Sequence, residues 1–286
     1  MTIRLHLASA SGNVFGYLWA DEVPASFEGP SWARALCARG LAFGLDGLFL
    51  LHRPGGGTWR MEHWDADGAH TFCSNGTRAA LGLLEAAPAG TLRVLSSGEA
   101  CDLRLDATGV ALRLPEGEAY GLRSLPPALG LDPARAAFGF IGNPQLSLRV
   151  PAVAEVDLAA LAPPLRFHPA LDGGTNVNVV EVLAPGQARI RSWERGVEGE
   201  TLCCGTGCSV TAAWLARETG VKVWTFQTAS GDPVTVSLDW AAPDRWTGLW
   251  LAGPVRLLGT VALGPAFAYL GQANPTLVEN PPARFP

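Results

Sequence analysis

The chain has 286 residues, of which 48% are hydrophobic and 16% charged, and carries a formal net charge of −5. That length suits two domains of ordinary size, and an acidic balance with no basic cluster argues against nucleic acid or an anionic membrane surface as a partner. Thirty-four glycines and 22 prolines predict many turns rather than a helical bundle, and no apolar run approaches the roughly 20 residues that span a bilayer.

In chain order, the opening MTIRLHLASASGNVF alternates polar and apolar residues as a strand does. It lacks the continuous apolar core of a signal peptide, which predicts a cytoplasmic protein. RMEHWDADGAHTFC runs through a strand-like segment, Trp64 and Asp65 to Cys73, and NGTRAALGLLEAA beyond it is helix-like. SSGEACDLRLD then reads as a turn and a strand, and the Pro-rich RLPEGEAYGLRSLPPALGLDP as a link. After the link the same features return. IGNPQ (Gly142, Asn143) echoes SGNVF (Gly12, Asn13), and RIRSWERGVEGETLCC passes Trp193 and Glu194 on the way to Cys204. TGCSVTAAWLARETG is the second helix and ASGDPVTVSLD the second turn and strand; NPTLVENPPARFP reads as an irregular tail. The chain is thus one α/β unit written twice, with Cys73 and Cys204 about 130 residues apart. The predicted domains are 1–117 joined by a returning segment at about 259–286, and 118–258.

Two similar halves packed about a pseudo-twofold axis bring equivalent residues face to face. Here those are Cys73 and Cys204, each just ahead of a helix, where free N–H groups and the helix dipole favour a thiolate and bind carboxylates. With a small carboxylate held between them, one sulfur removes the α-proton and the other delivers a proton to the opposite face, which inverts Cα. The backbone N–H groups then meet the enolate-like charge. This chemistry needs no metal and no cofactor, and the chain carries neither a phosphate-binding loop nor a dinucleotide fingerprint. Plainer readings stand beside it. Cys204 and Cys208 have a zinc-like spacing but no second pair. Cys37, Cys101, Cys203 and Cys208 read as small buried apolar residues, Trp64 and Trp193 as core anchors, and His52, His63, His70 and His168 as surface or cap residues. Asn13, Asn143 and Asn176 read as turn residues beside Gly or Pro, and Glu194 with Arg195, on spacing alone, as a surface pair.

The marks GNVF, WDADG, CSNGTR, GNP, TNVNVVEV and above all WERGVEGETLCCGTG resemble the diaminopimelate epimerase family over nearly the whole chain, to about residue 262. The resemblance implies two pseudo-symmetric α/β domains, each a mostly antiparallel sheet wrapped around a central helix, with the site at their interface. It implies Cys73 and Cys204 as base and acid, and backbone donors from Asn75, Gly76, Gly205 and Thr206 for the reacting carboxylate. Asn13, Asp65, Asn143, Asn176, Glu194 and Arg195 would line the substrate pocket, with Arg195 clamping a far carboxylate. The implied ligand is an amino acid, LL-diaminopimelate converted to the meso form for lysine and peptidoglycan synthesis, and a homodimer fits the family. Ser74, Asp65, Gln145, Val14 and Gly47 depart from the family's usual Gly, Asn, His, Asp and Gln. The alternatives are an epimerase for another, basic, amino acid, and a thiol redox or binding protein without isomerase activity.

Overall fold

Residues 2–40, 42–54, 58–84 and 90–264 are described by the computed structural model; the predicted C-terminal tail lies outside them. The first half runs β1 (Ile3–Ala10), β2 (Asn13–Trp19), α1 (Gly29–Cys37), β3 (Gly47–His52), β4 (Trp59–Asp65), α2 (Ser74–Ala80), β5 (Leu92–Ser96), β6 (Glu99–Asp106) and β7 (Gly109–Arg113). The second runs β8 (Gly121–Arg123), β9 (Ala136–Phe140), β10 (Pro144–Arg149), α3 (Leu158–Arg166), β11 (Asn176–Ala184), β12 (Gln187–Glu194), β13 (Gly199–Thr201), α4 (Gly205–Thr219), β14 (Val223–Gln227), β15 (Pro233–Ala242) and β16 (Arg245–Gly253), followed by β17 (Val255–Leu263).

The duplication is written in the strand directions. From β1 to β7 neighbours pair antiparallel, parallel, antiparallel, parallel, antiparallel, antiparallel. From β9 through β10, β11, β12, β14 and β15 to β16 the same succession repeats. Each parallel step requires a crossover, and α1, α2, α3 and α4 supply them. The halves are sewn together by β7 against β16. On the outer flanks β8 pairs with β9, whereas β17 crosses back and pairs with β1 along its length.

The helices explain the wrapping. A helix enclosed by sheet is apolar or small on every side, and all of α2 and the stretch Gly205–Ala216 of α4 are buried. Both enter one core with Trp214, Trp224, Trp246 and Phe226, where each large apolar side chain contributes roughly 2–3 kcal/mol. Smaller clusters lie under α1, around Trp32 and Trp64, and under α3. α4 ends where Gly220 takes φ 76°, the left-handed cap that glycine adopts without strain. The helix after Cys73 is shorter than NGTRAALGLLEAA predicts. It stops at Ala80 and turns, because Gly82 is a poor helix former whose absent side chain leaves room for Leu257; residues 85–87 of the predicted helix lie outside the described residues.

Arg78 ties α2 to the seam. It is fully buried and donates to the carbonyls of Val110 and Gly253, to Ser11 Oγ and to Asn75 Oδ1 at 2.9–3.3 Å. Val110 and Gly253 are partners in the β7–β16 pairing, so one guanidinium bonds both halves.

Candidate active site

Cys73 and Cys204 occupy the same place in the two halves. Each is the N-cap of a central helix, with extended backbone at φ −124°, ψ 110° and φ −106°, ψ 103°. The two helix ends meet. Asn75 Nδ2 donates to Asn13 Oδ1 at 2.9 Å and to the Cys203 carbonyl at 3.5 Å. A Cβ added to Gly205 would come within 2.9 Å of Asn75 Oδ1 and Ser74 Oγ; only glycine permits that approach.

A carboxylate and a threonine flank each thiol. Thr71 Oγ1 donates to Asp65 Oδ2 at 3.0 Å, and Thr201 Oγ1 to Glu194 Oε1 at 2.5 Å. Burial raises the Asp65 pKa to about 6, opposed by the Thr71 bond and reinforced by Asp67; its side chain is still 47% exposed, so water screens part of the effect. Burial also raises Glu194, against hydrogen bonds from Thr201 and Cys204, with Asp65 and Asp46 adding repulsion.

The sequence predicts thiols eased toward thiolate by the helix ends; the net effect is the reverse. Burial pushes Cys73 up to about 12, with Asp65 and Glu194 adding to it, and the N–H groups of Gly76 and Asn75 only partly offset this. Cys204 is likewise raised, by burial and then by Glu194, against Thr206 and the Gly207 N–H. Cys73 is only half-buried, yet beside these carboxylates desolvation of the anion outweighs a helix end.

Around Cys204 the polar groups form a chain. Gln145 Nε2 lies 3.7 Å from Cys204 Sγ and 2.9 Å from both Thr206 Oγ1 and Asn143 Oδ1. Asn178 Nδ2 donates to Gln145 Oε1 at 2.9 Å, and Ser192 Oγ to Asn178 Oδ1 at 2.7 Å. Gln145 thus carries Asn143 to the thiol. Asn176 and Arg195 meet each other: the Arg195 backbone N–H donates to Asn176 Oδ1 at 2.7 Å, and the exposed guanidinium donates to the Gly173 carbonyl at 3.3 Å.

His63 is a correction. It is not a surface or cap residue but fully buried, its ring tilted against that of Phe49 with centroids 4.4 Å apart, and burial lowers its pKa to about 3. The signal was present: β4 alternates, and Trp59, Met61 and His63 face inward together. Thr71, Thr201 and Arg78 were also missed as site residues; the two threonines are recognisable as the hydroxyl ahead of each Cys.

With this geometry in place, comparison with known proteins becomes decisive. The family described as "Diaminopimelate epimerase" matches residues 140–255. Diaminopimelate epimerase of Chlorobaculum tepidum is 31% identical over 245 residues, 80% of this chain and 90% of the relative. That of Rhizorhabdus wittichii is 32% identical over 248 residues, 84% and 89% of the two chains. The chain belongs to the diaminopimelate epimerase family. It is an isomerase, an amino acid epimerase. Solved structures extend the likeness at the level of fold. A PhzF-family phenazine biosynthesis protein of Bacillus anthracis superposes with TM-score 0.67 at 16% identity, covering 92% of this chain and 99% of the other. A probable proline racemase of Agrobacterium radiobacter does so with TM-score 0.63 at 14% identity, covering 93% and 95%. The family's fold, two pseudo-symmetric sheet-wrapped helices, is the one described above. No helix among the described residues is long and apolar enough to cross a membrane.

Proposed function

We propose that this epimerase inverts Cα of its substrate by proton transfer between Cys73 and Cys204, and that LL-diaminopimelate, the substrate in its relatives' name, is converted to the meso form. The observation that carries the mechanism is the meeting of the two N-capping cysteines' helix ends across Gly205 and Asn75. The substrate's α-carboxylate sits at the start of α4, where the N–H groups of Gly205 and Thr206 have no partner within the helix. Its Cα then lies between the sulfurs. The α-ammonium, arriving beside Glu194 and both thiols, favours a thiolate on one of them, whose proton passes to the neighbouring carboxylate. That thiolate takes the α-proton; the charge left behind spreads onto the carboxylate, where the N–H donors stabilise it. The opposite thiol then delivers its own proton to the other face. One proton is lost and one gained, and the sulfurs finish with their roles exchanged.

The test is solvent deuterium at Cα. Wild type incubated with LL-diaminopimelate in deuterated water should yield labelled meso product, and Cys73→Ala and Cys204→Ala should yield none above background. Normal labelling in either variant would sink the two-thiol reading. Unlabelled diaminopimelate in wild type, with label entering another amino acid, would move the substrate and leave the mechanism standing.

A further inference from the structure

The polar chain beneath α4 has a direction. Asn178 Nδ2 lies 3.3 Å from the Leu146 carbonyl, which can only accept, so this atom is the donor and Oδ1 on the other side takes the Ser192 hydroxyl at 2.7 Å. The Gln145 atom 2.9 Å from Asn178 Nδ2 must then accept, which makes it Oε1. Gln145 Nε2 is thereby turned toward the helix, and its two hydrogens go to Asn143 Oδ1 and Thr206 Oγ1, each at 2.9 Å. These are assignments from the bonding network, each following from the one before. Thr206 Oγ1 accepts from Gln145, so its own hydrogen is left for another partner. Among the described residues that partner is Cys204 Sγ, 3.5 Å away. Thr206 is buried, so water does not compete for the bond. Cys204 also hydrogen-bonds to Glu194; a proton leaving the sulfur has an acceptor there, and the thiolate left behind has a donor in Thr206. Glu194 and Cys203 face the same sulfur and oppose a charge on it, as burial does, and the Thr206 bond works against all three.

The first half has no such donor. Asn75 stands two residues after Cys73, as Thr206 does after Cys204, but its side chain turns away: Nδ2 donates to Asn13 Oδ1 and the Cys203 carbonyl, and Oδ1 accepts from Arg78. The Thr71 hydroxyl gives its hydrogen to Asp65. Cys73 is left with the backbone N–H groups of Gly76 and Asn75. We propose that the Thr206 hydroxyl, its hydrogen aimed by Gln145 and Asn178, is the side-chain donor that steadies a thiolate on Cys204, and that the two sulfurs are supported unequally because Cys73 has no counterpart to it. The proposal rests on the two-thiol reading only for the use made of that thiolate.

The whole protein is alkylated with iodoacetamide at one fixed pH near neutral. The rate at each cysteine is read by mass spectrometry of peptide fragments, which separates Cys204 from Cys203, and Cα deuterium exchange of LL-diaminopimelate is followed in parallel. Thr206→Val keeps the shape of the side chain and loses its hydroxyl. A hydrogen bond to a charged group is worth about tenfold or more in thiolate population, and the more basic thiolate recovers about half of that on a logarithmic scale through its greater nucleophilicity. Alkylation at Cys204 should therefore slow at least about threefold in Thr206→Val, with Cys73 unchanged, and Thr206→Ser should restore the wild-type rate. An unchanged Cys204 rate in Thr206→Val, an equal slowing at Cys73, or a Thr206→Ser variant as slow as Thr206→Val would each overturn the proposal. If Cys204 alone slows but wild type shows no Cα exchange, the two-thiol reading fails and the part given to Thr206 stands. Cα exchange in wild type with an unchanged Cys204 rate in Thr206→Val is the converse.

Discussion

Below the first turn of α2 the strand register brings together Phe15, Tyr17, Phe49 and His63; below the first turn of α4 the equivalent positions hold Gln145, Ser147, Asn178 and Ser192. The helices rest on these layers in the same way. A Cβ on Gly76 would strike the Phe49 ring at 2.2 Å, and one on Gly207 would strike Asn178 Oδ1 at 2.3 Å. The first layer is held by rings, with Tyr17 stacked on Phe49 at 5.1 Å and Phe15 edge-on to it at 5.7 Å. The second is held by hydrogen bonds that run from Ser192 to Cys204. One backbone thus accepts two ways of supporting a thiol. An aromatic layer fixes the helix and leaves the sulfur to the backbone N–H groups. An amide layer reaches the sulfur itself and costs more when broken, since each lost partner strands a buried polar group.

The largest expected effect tests whether the two sites are equal in chemistry despite that difference. Cys73→Ala and Cys204→Ala should each lower the inversion rate by about 10³-fold or more, since a positioned acid or base supplies roughly 10²–10⁴. A loss confined to one of them would break the symmetry. Next comes the residue common to both halves. Arg78→Leu leaves the Val110 and Gly253 carbonyls without their donor, and should destabilise by about 3 kcal/mol or more. Thermal unfolding would show a fall in Tm of several degrees; an unchanged Tm would mean that the seam holds without it.

The thiols and the duplication were legible in the sequence because both are carried by short motifs with fixed order. The supporting layers were not. Gln145 was visible as a departure, but only the β10–β11 register puts it beside Cys204. His63 was misread because no metal-ligand spacing involves it, and the alternation Trp59, Met61, His63 was the better guide. Arg195 follows a highly specific motif, yet the bond from its backbone N–H to Asn176 fixes a turn that sends the guanidinium outward, a matter of backbone geometry that residue type does not encode.

Smaller effects sharpen the contrast between layers. Gln145→Leu removes the group 3.7 Å from Cys204 Sγ and should cut kcat about tenfold, roughly 1.4 kcal/mol, with KM little changed. Phe15→Leu, at the equivalent first-half position, should mainly lower Tm, by an amount typical of a core substitution of roughly 1 kcal/mol. If steady-state kinetics rank Phe15→Leu as the worse of the two for kcat, the account of the layers is wrong. The last effect is one of pH. His63 titrates near 6.5 when unfolded and about 3 when folded, so the folded state keeps it neutral. Its contribution is intact above about 6.5 and is lost as pH falls, by roughly 1.4 kcal/mol per unit, down to about 3. His63→Phe, which suits the aromatic layer, should flatten the stability profile between pH 6.5 and 5 in urea titrations. A variant with the same acid slope as wild type would show that other groups set it.

The return of β17 to β1 bears on how the protein is made. Ile3 faces Leu263 across that ladder, so β1, the earliest made of the described strands, gains this flanking neighbour only when almost all of the described chain has been synthesised. Until then β1 offers an unpaired edge, the kind of surface on which nascent chains aggregate. Contacts so distant in sequence also slow folding, because their loop entropy must be met before they stabilise anything. Synthesis from a gene permuted to place residues 255–263 directly ahead of Ile3 would close that edge first, and refolding rate and soluble yield should both rise.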